Sequence, residues 1–229
     1  MQTAHYFSKR ENVLVEQATV LVEPVVQAGT GRVLAYLARP SSRVGGADVV
    51  LAAMQAGRLR TLIAILRLQV AAVARRLAPD QRVLLPVCDV ELGDPVLLDR
   101  RGPLFRVRDR VVMQFSARTM SSDLLASATF LTALQQTGYA LALADVDGSP
   151  ASLTLVREVM PEVVLLARDA ARDRARLAAT LAALSRVGSR VVATGVDTVE
   201  ARDALAGQGC DLMCGPLFAR ALPASAWVG

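Results

Sequence analysis

Two carboxylates two residues apart, Asp145 and Asp147, stand in Asp145-Val-Asp-Gly-Ser149 directly after an apolar run. Such a pair can ligate a cation or exchange a proton, or it can do no chemistry at all, with Asp145 capping a turn that Asp147-Gly148 forms. Cys210 and Cys214 are the other close pair of potential ligands. A tetrahedral zinc site there lacks its remaining donors, because the only histidine is His5, so the pair is read as two half-buried thiols. The only lysine is Lys9, which leaves nearly the whole chain without an amine for general acid-base work.

The elements that must position these groups follow from hydrophobic periodicity. Strands are expected at Val20–Val26, Val33–Ala38, Val83–Val87, Val111–Phe115, Ala140–Asp145, Val163–Ala167, Arg190–Thr194 and Leu212–Cys214. Most are apolar on both faces, as strands covered by helices are. Helical patterns lie between them at Ala47–Gln55, Arg58–Leu77, Ser122–Thr137, Ser152–Met160, Ala170–Arg186 and Thr198–Gly207, and Gly138, Gly188 and Gly209 mark helix ends. Gln27-Ala-Gly-Thr-Gly31 is too short for a helical crossover, so the first two strands form an antiparallel hairpin. About eight strands in this order predict a closed β/α barrel of the α/β class. The pattern alone also fits an open doubly wound sheet. In a barrel, chemistry sits where each strand ends, which singles out Glu23, Leu37, Pro86, Gln114, Ala144, Asp145, Ala167, Thr194 and Cys214. A ring so poor in acids is not what a metal-dependent hydrolase needs.

Composition narrows the classes. At 229 residues and 53% hydrophobic content, the chain can bury one large core, and no linker divides it. Its net charge of +5 is carried almost entirely by arginine interleaved with acids, as in Arg168-Asp-Ala-Ala-Arg-Asp-Arg-Ala-Arg176, which reads as a solvated helix face. Aromatic residues are only 4% and do not alternate with the basic ones, so nucleic-acid binding is not expected. No apolar stretch reaches membrane-spanning length, Met1 to Glu11 has no signal-peptide core, and three cysteines fit a reducing compartment. These features predict a cytoplasmic protein with no membrane insertion.

Several stretches, in order from about Val20 to Pro223, resemble the EAL domain, the cyclic di-GMP phosphodiesterase family. Glu23-Pro-Val-Val-Gln-Ala-Gly-Thr-Gly-Arg-Val-Leu-Ala-Tyr36 looks like its opening hairpin and signature. Gly138-Tyr-Ala-Leu-Ala-Leu-Ala-Asp145 with Ser152-Leu153 resembles its paired-aspartate segment. Arg190-Val-Val-Ala-Thr-Gly-Val-Asp-Thr198, continued by Gly209-Cys-Asp-Leu-Met-Cys-Gly-Pro-Leu-Phe218 and Leu222-Pro223, is similar to its closing elements. The resemblance implies a TIM-like β/α barrel over 18–229 with an antiparallel first hairpin, preceded by an extension or entry helix over 1–17.

The resemblance also implies two divalent metals, held in the family by carboxylates and an asparagine, with a lysine near the attacking water. Carried across, those roles fall on Leu37, Pro86, Gln114, Ala144, Asp145, Leu165 (the lysine), Ala167, Thr194, Asp197 and Cys214. Most of these side chains have no oxygen to offer, so the expectation is a degenerate relative with no metal, no cofactor, no catalytic residue and no enzymatic activity. It would act as a regulatory protein-interaction module in bacterial signalling, with an unidentified protein partner and, by family resemblance, as a homodimer. The alternative is a metal-independent cyclic di-GMP receptor using Asp145 and Arg39, although Arg39 lies closer to Leu37 than the family's arginine does and strict alignment puts Ser41 at that place. Loss of nucleotide binding is favoured, because the ligand-contacting glutamine position is Glu23, a carboxylate that repels a dianion unless protonated or paired. A remote alternative is a haloacid-dehalogenase-type phosphatase, whose nucleophile motif Asp145-Val-Asp-Gly-Ser149 resembles. That family needs a downstream lysine and acidic pair, and here Asp211 supplies one acid.

Between Cys88 and Val111 the family has a crossover helix, whereas Gly102-Pro103 interrupts any helix here. Two readings follow. In one, a trimmed loop packs Leu104, Phe105 and Val107 inward. In the other, Leu97, Leu98, Leu104 and Phe105 mark an apolar flank that a partner covers.

Overall fold

The computed structural model describes residues 12–42, 48–120, 124–168, 170 and 173–227. Strands β1 (Ala18–Gln27) and β2 (Val33–Ser42) form the expected hairpin, with Glu23 opposite Leu37 and Leu21 opposite Arg39. Its turn closes when the Gly31 N–H donates to the Gln27 carbonyl at 2.8 Å, and Gly31 takes a φ of 68°, a conformation glycine adopts without a Cβ penalty.

From β2 onward all pairings are parallel, through β3 (Arg82–Pro86), β4 (Val111–Ser116), β5 (Ala140–Val146), β6 (Val163–Leu166), β7 (Arg190–Ala193) and β8 (Leu212–Met213). Strand β8 then pairs antiparallel with β1, Met213 opposite Val26, and this closes an eight-stranded barrel. The open-sheet alternative is thereby excluded. A short ninth strand, β9 (Leu222–Pro223), which the sequence pattern did not suggest, pairs with Leu21 and Val22 of β1.

Helices α1 (Val49–Gln55), α2 (Leu59–Ala74), α3 (Ala117–Met120), α4 (Leu124–Thr137), α5 (Pro150–Val159), α6 (Arg174–Val187) and α7 (Val199–Ala206) lie between the strands. Their starts are chemically marked. Asp48, Ser149, Asp173 and Thr198 each accept a backbone N–H of the first turn with the side chain. Ahead of the barrel, residues 12–16 are helical with Leu14 and Val15 buried, while the rest of the predicted entry segment lies outside the described residues.

Because successive strand side chains face opposite ways, two apolar clusters form. One, including Leu62, Val70, Met113, Leu134, Leu143 and Leu177, joins helices to the outer sheet face. The other fills the barrel and comprises Val25, Leu37, Leu84, Val112, Ala142, Ala144, Val163, Leu165, Val192 and Cys214.

The stretch after β3 is built from short 3-10 turns at Pro95–Leu98 and Phe105–Arg110, on either side of Gly102-Pro103. Leu97 and Leu104 are only 3% and 4% exposed, Leu98 packs partly buried against the same core, and the Arg108 guanidinium lies 4.3 Å over the Phe105 ring. The reading of Leu97, Leu98, Leu104 and Phe105 as a partner-covered flank is corrected for Leu97 and Leu104, which the chain's own core already covers, while Leu98 and Phe105 are half-buried. A buried ion pair between Arg67 of α2 and Glu91 ties this stretch down, and Glu91 also accepts the Cys88 N–H at 2.8 Å.

Candidate functional site at the barrel mouth

The carboxyl-terminal strand ends surround a cavity of about 250 Å³. Its floor is carbon and sulfur, from Leu37, Ala144, Leu165 and Cys214, which extend the barrel interior up to the mouth. Its rim is polar, from Glu23, Arg39, Gln114, Asp145, Arg168 and Thr194. The predicted strand-end residues Glu23, Leu37, Gln114, Ala144, Asp145, Thr194 and Cys214 thus come together, whereas Pro86, Ala167 and Asp197 are not in the cavity wall.

Asp145 is placed by an irregularity. The pairing of β5 with β6 shifts register between Leu143 and Val146, and Asp145 adopts φ 59°, a left-handed conformation that aspartate tolerates better than most residues. The Ser116 hydroxyl at the end of β4 donates to its carboxylate at 2.7 Å. Re-aimed in this way, Asp145 also borders a second cavity of about 510 Å³ beside α5, lined by Arg118, Asp147, Ser149 and Ser152 among others.

Asp147 does different work. Its carboxylate accepts the Ser149 N–H at 2.9 Å and meets Arg176 at 3.3 Å. The hydrogen bonds from Ser149 hold its pKa down to about 2. The Ser149 N–H to Asp147 is the turn expected of Asp147-Gly148, whereas Asp145 accepts from the Ser116 hydroxyl rather than capping that turn; the closed barrel displaces the phosphatase alternative.

Glu23 is 6% exposed and its carboxylate lies 2.9 Å from the Arg39 guanidinium, so the charge that would repel an anion is paired. Burial, then the nearby Glu23 charge, pushes the Cys214 thiol up to about 12, and burial raises Cys210 to about 11. Both stay protonated thiols at neutral pH, and they are fully buried where the sequence reading expects half-buried thiols. Arg168 was missed, having been read as part of a solvated helix face. It stands two residues past β6, and its Nε lies 3.0 Å from where a Gly195 Cβ would project. It is the residue directly after Ala167, the predicted end of that strand.

A pair of divalent cations needs several oxygen donors converging with enough negative charge to offset the ions' mutual repulsion. Here Asp145 is one carboxylate, Gln114 offers a neutral amide oxygen that is buried without a partner, and Thr194 a hydroxyl. Glu23 is engaged by Arg39, and a second guanidinium borders the same space. Among the described residues, no group of three or more His, Cys, Asp or Glu side chains is arranged to hold a metal ion. The mouth does not fit a two-metal centre.

The chain is therefore a closed β/α barrel with an antiparallel first strand and its polar groups gathered at the strand ends. The EAL domain family model matches residues 11–221, and the chain belongs to that family. No curated protein matches the chain in sequence. Among solved structures, it is similar to the PaMucR phosphodiesterase in its c-di-GMP complex, at 18% identity and TM-score 0.76, covering 92% of this chain and 99% of that one. It is similar to Klebsiella pneumoniae BlrP1 in a calcium and cyclic di-GMP complex, at 22% identity and TM-score 0.81, covering 93% of this chain and 58% of that one. The FimX EAL domain from Pseudomonas aeruginosa bound to c-di-GMP matches at 16% identity and TM-score 0.74, covering 92% and 93%. At these identities the likeness is one of fold.

These findings correct one expectation. The sequence reading made the chain a non-enzyme, but it belongs to a family whose solved structures include a phosphodiesterase, and side chains lacking oxygen at individual positions do not by themselves remove a member from an enzyme family. Among the described residues no helix is long and apolar enough to cross a membrane.

Proposed function

We propose that this chain is an EAL domain of cyclic di-GMP signalling whose barrel mouth receives the dinucleotide on side chains rather than on metal ions. The observation that carries the reading is the mixed-charge rim: two guanidiniums, Arg39 and Arg168, and the Asp145 carboxylate border one cavity with a carbon floor. A cyclic di-guanylate presents anionic phosphodiesters, which suit guanidinium, and guanine donor edges, which suit carboxylate or amide oxygen. Two solved structures of similar fold, the PaMucR phosphodiesterase and the FimX EAL domain, hold that ligand. The cavity of about 250 Å³ lies at the lower end of ligand sites, so it takes part of the molecule, and the adjoining space of about 510 Å³ that shares Asp145 offers room for more.

As a regulatory domain it would pass occupancy to a protein partner through a surface that does not rest on Leu97 and Leu104, which are in the core. Calorimetry with cyclic di-GMP in the presence of a chelator tests the reading. Micromolar affinity, about −8 kcal/mol, is expected without metal, and Arg168→Ala or Asp145→Asn should weaken it about tenfold. No heat of binding at any concentration up to about 1 mM would end it.

A further inference from the structure

Glu23 and Arg39 are diagonal cross-strand neighbours: Glu23 faces Leu37, and Arg39 follows Leu37 by two residues on the same side of β2. The pairing is unequal. The Glu23 side chain is 8% exposed, whereas the Arg39 side chain is 46% exposed and reaches the cavity edge. A buried carboxylate left without its counter-charge is strongly unfavourable, while an arginine at this edge can be rehydrated or can turn to another anion.

We infer that Glu23 is an internal competitor for the ligand: its carboxylate occupies, on Arg39, the place of an anionic phosphodiester oxygen, and so sets the affinity of the mouth from within. This rests on the proposed receptor reading and goes beyond it, because it assigns Glu23 a restraining role rather than a binding one. A phosphodiester that engages Arg39 must share the guanidinium with Glu23 or strip Glu23 of its partner. Removing the Glu23 charge while keeping its shape frees Arg39 without opening a hole. Binding should then become tighter, a direction of change that structural damage does not produce.

The test is calorimetry of the full chain with cyclic di-GMP, in chelator, on the unaltered protein, Glu23→Gln and the double variant Glu23→Gln with Arg39→Ala. Thermal melts in parallel check that each is folded. Expected is a Kd about tenfold lower for Glu23→Gln, with the gain lost in the double variant because Arg39 is the group released. If the unaltered protein binds and Glu23→Gln binds equally or more weakly, the competitor role is overturned while the receptor reading stands. Should none of the three proteins bind, both fall together.

Discussion

Asp145 and Asp147 are chemically the same side chain two residues apart, and their surroundings give them opposite work. Asp147 belongs to the loop: its lowered pKa, caused first by hydrogen bonding from Ser149, is a statement about stability. A folded-state pKa below the unfolded value of about 3.9 contributes stability above that pH, and the contribution fades as pH falls toward about 2. Asp147→Ala should therefore cost about 1 kcal/mol at pH 7 in urea unfolding, a modest figure because the side chain is 42% exposed and its ion pair is screened. The difference from the unaltered protein should narrow steadily between about pH 4 and pH 2. Asp145 belongs to the mouth. Asparagine also tolerates a left-handed backbone, so Asp145→Asn should leave stability within about 0.5 kcal/mol while lowering dinucleotide affinity, which separates charge from conformation.

Among the elements, the segment that replaces the crossover helix shows how a chain can cover a barrel flank without regular structure. Pro95, Gly102 and Pro103 forbid a continuous helix, and short 3-10 turns deliver Leu97, Leu104 and Val107 to the core instead. What fixes the segment is the buried Arg67–Glu91 pair. Glu91→Ala should cost about 3–5 kcal/mol, because it leaves a guanidinium buried without its counter-charge, and the loss should appear as a lower midpoint in urea with an unchanged slope. A surface loop of the same length would lose almost nothing.

For the whole molecule, closure is the governing fact. Strand β1 is held by β2 along one edge and by β8 and β9 on the other, so each of the eight barrel strands has neighbours on both sides and the inner cluster is enclosed by the sheet. That enclosed cluster includes Leu165, at a position the family resemblance assigns to a lysine, so what the mouth lacks in chemical groups the barrel gains as packing. Leu165→Ala should lower the unfolding free energy by about 2–5 kcal/mol. Unfolding followed by circular dichroism should remain a single transition, because the inner cluster draws on all eight barrel strands. Two separated transitions would mean that the barrel halves are independent.

The order of the eight barrel strands and their helices, the antiparallel opening hairpin and the family were legible in the residues, because periodicity, turn chemistry and helix caps are local and are written residue by residue, whereas the two-residue β9 was not. It also placed Glu23, Gln114, Asp145 and Cys214 at one mouth, since in a barrel the end of each strand is a fixed address. Only the tertiary structure decided that Glu23 is neutralised by Arg39, that Arg168 turns back over Gly195, that Asp147 is spent on its own loop, and that Leu97 and Leu104 point inward. These facts depend on which side chains meet across 16 residues between Glu23 and Arg39 or 24 between Arg67 and Glu91. No local pattern encodes such meetings, because they exist only once the barrel has closed.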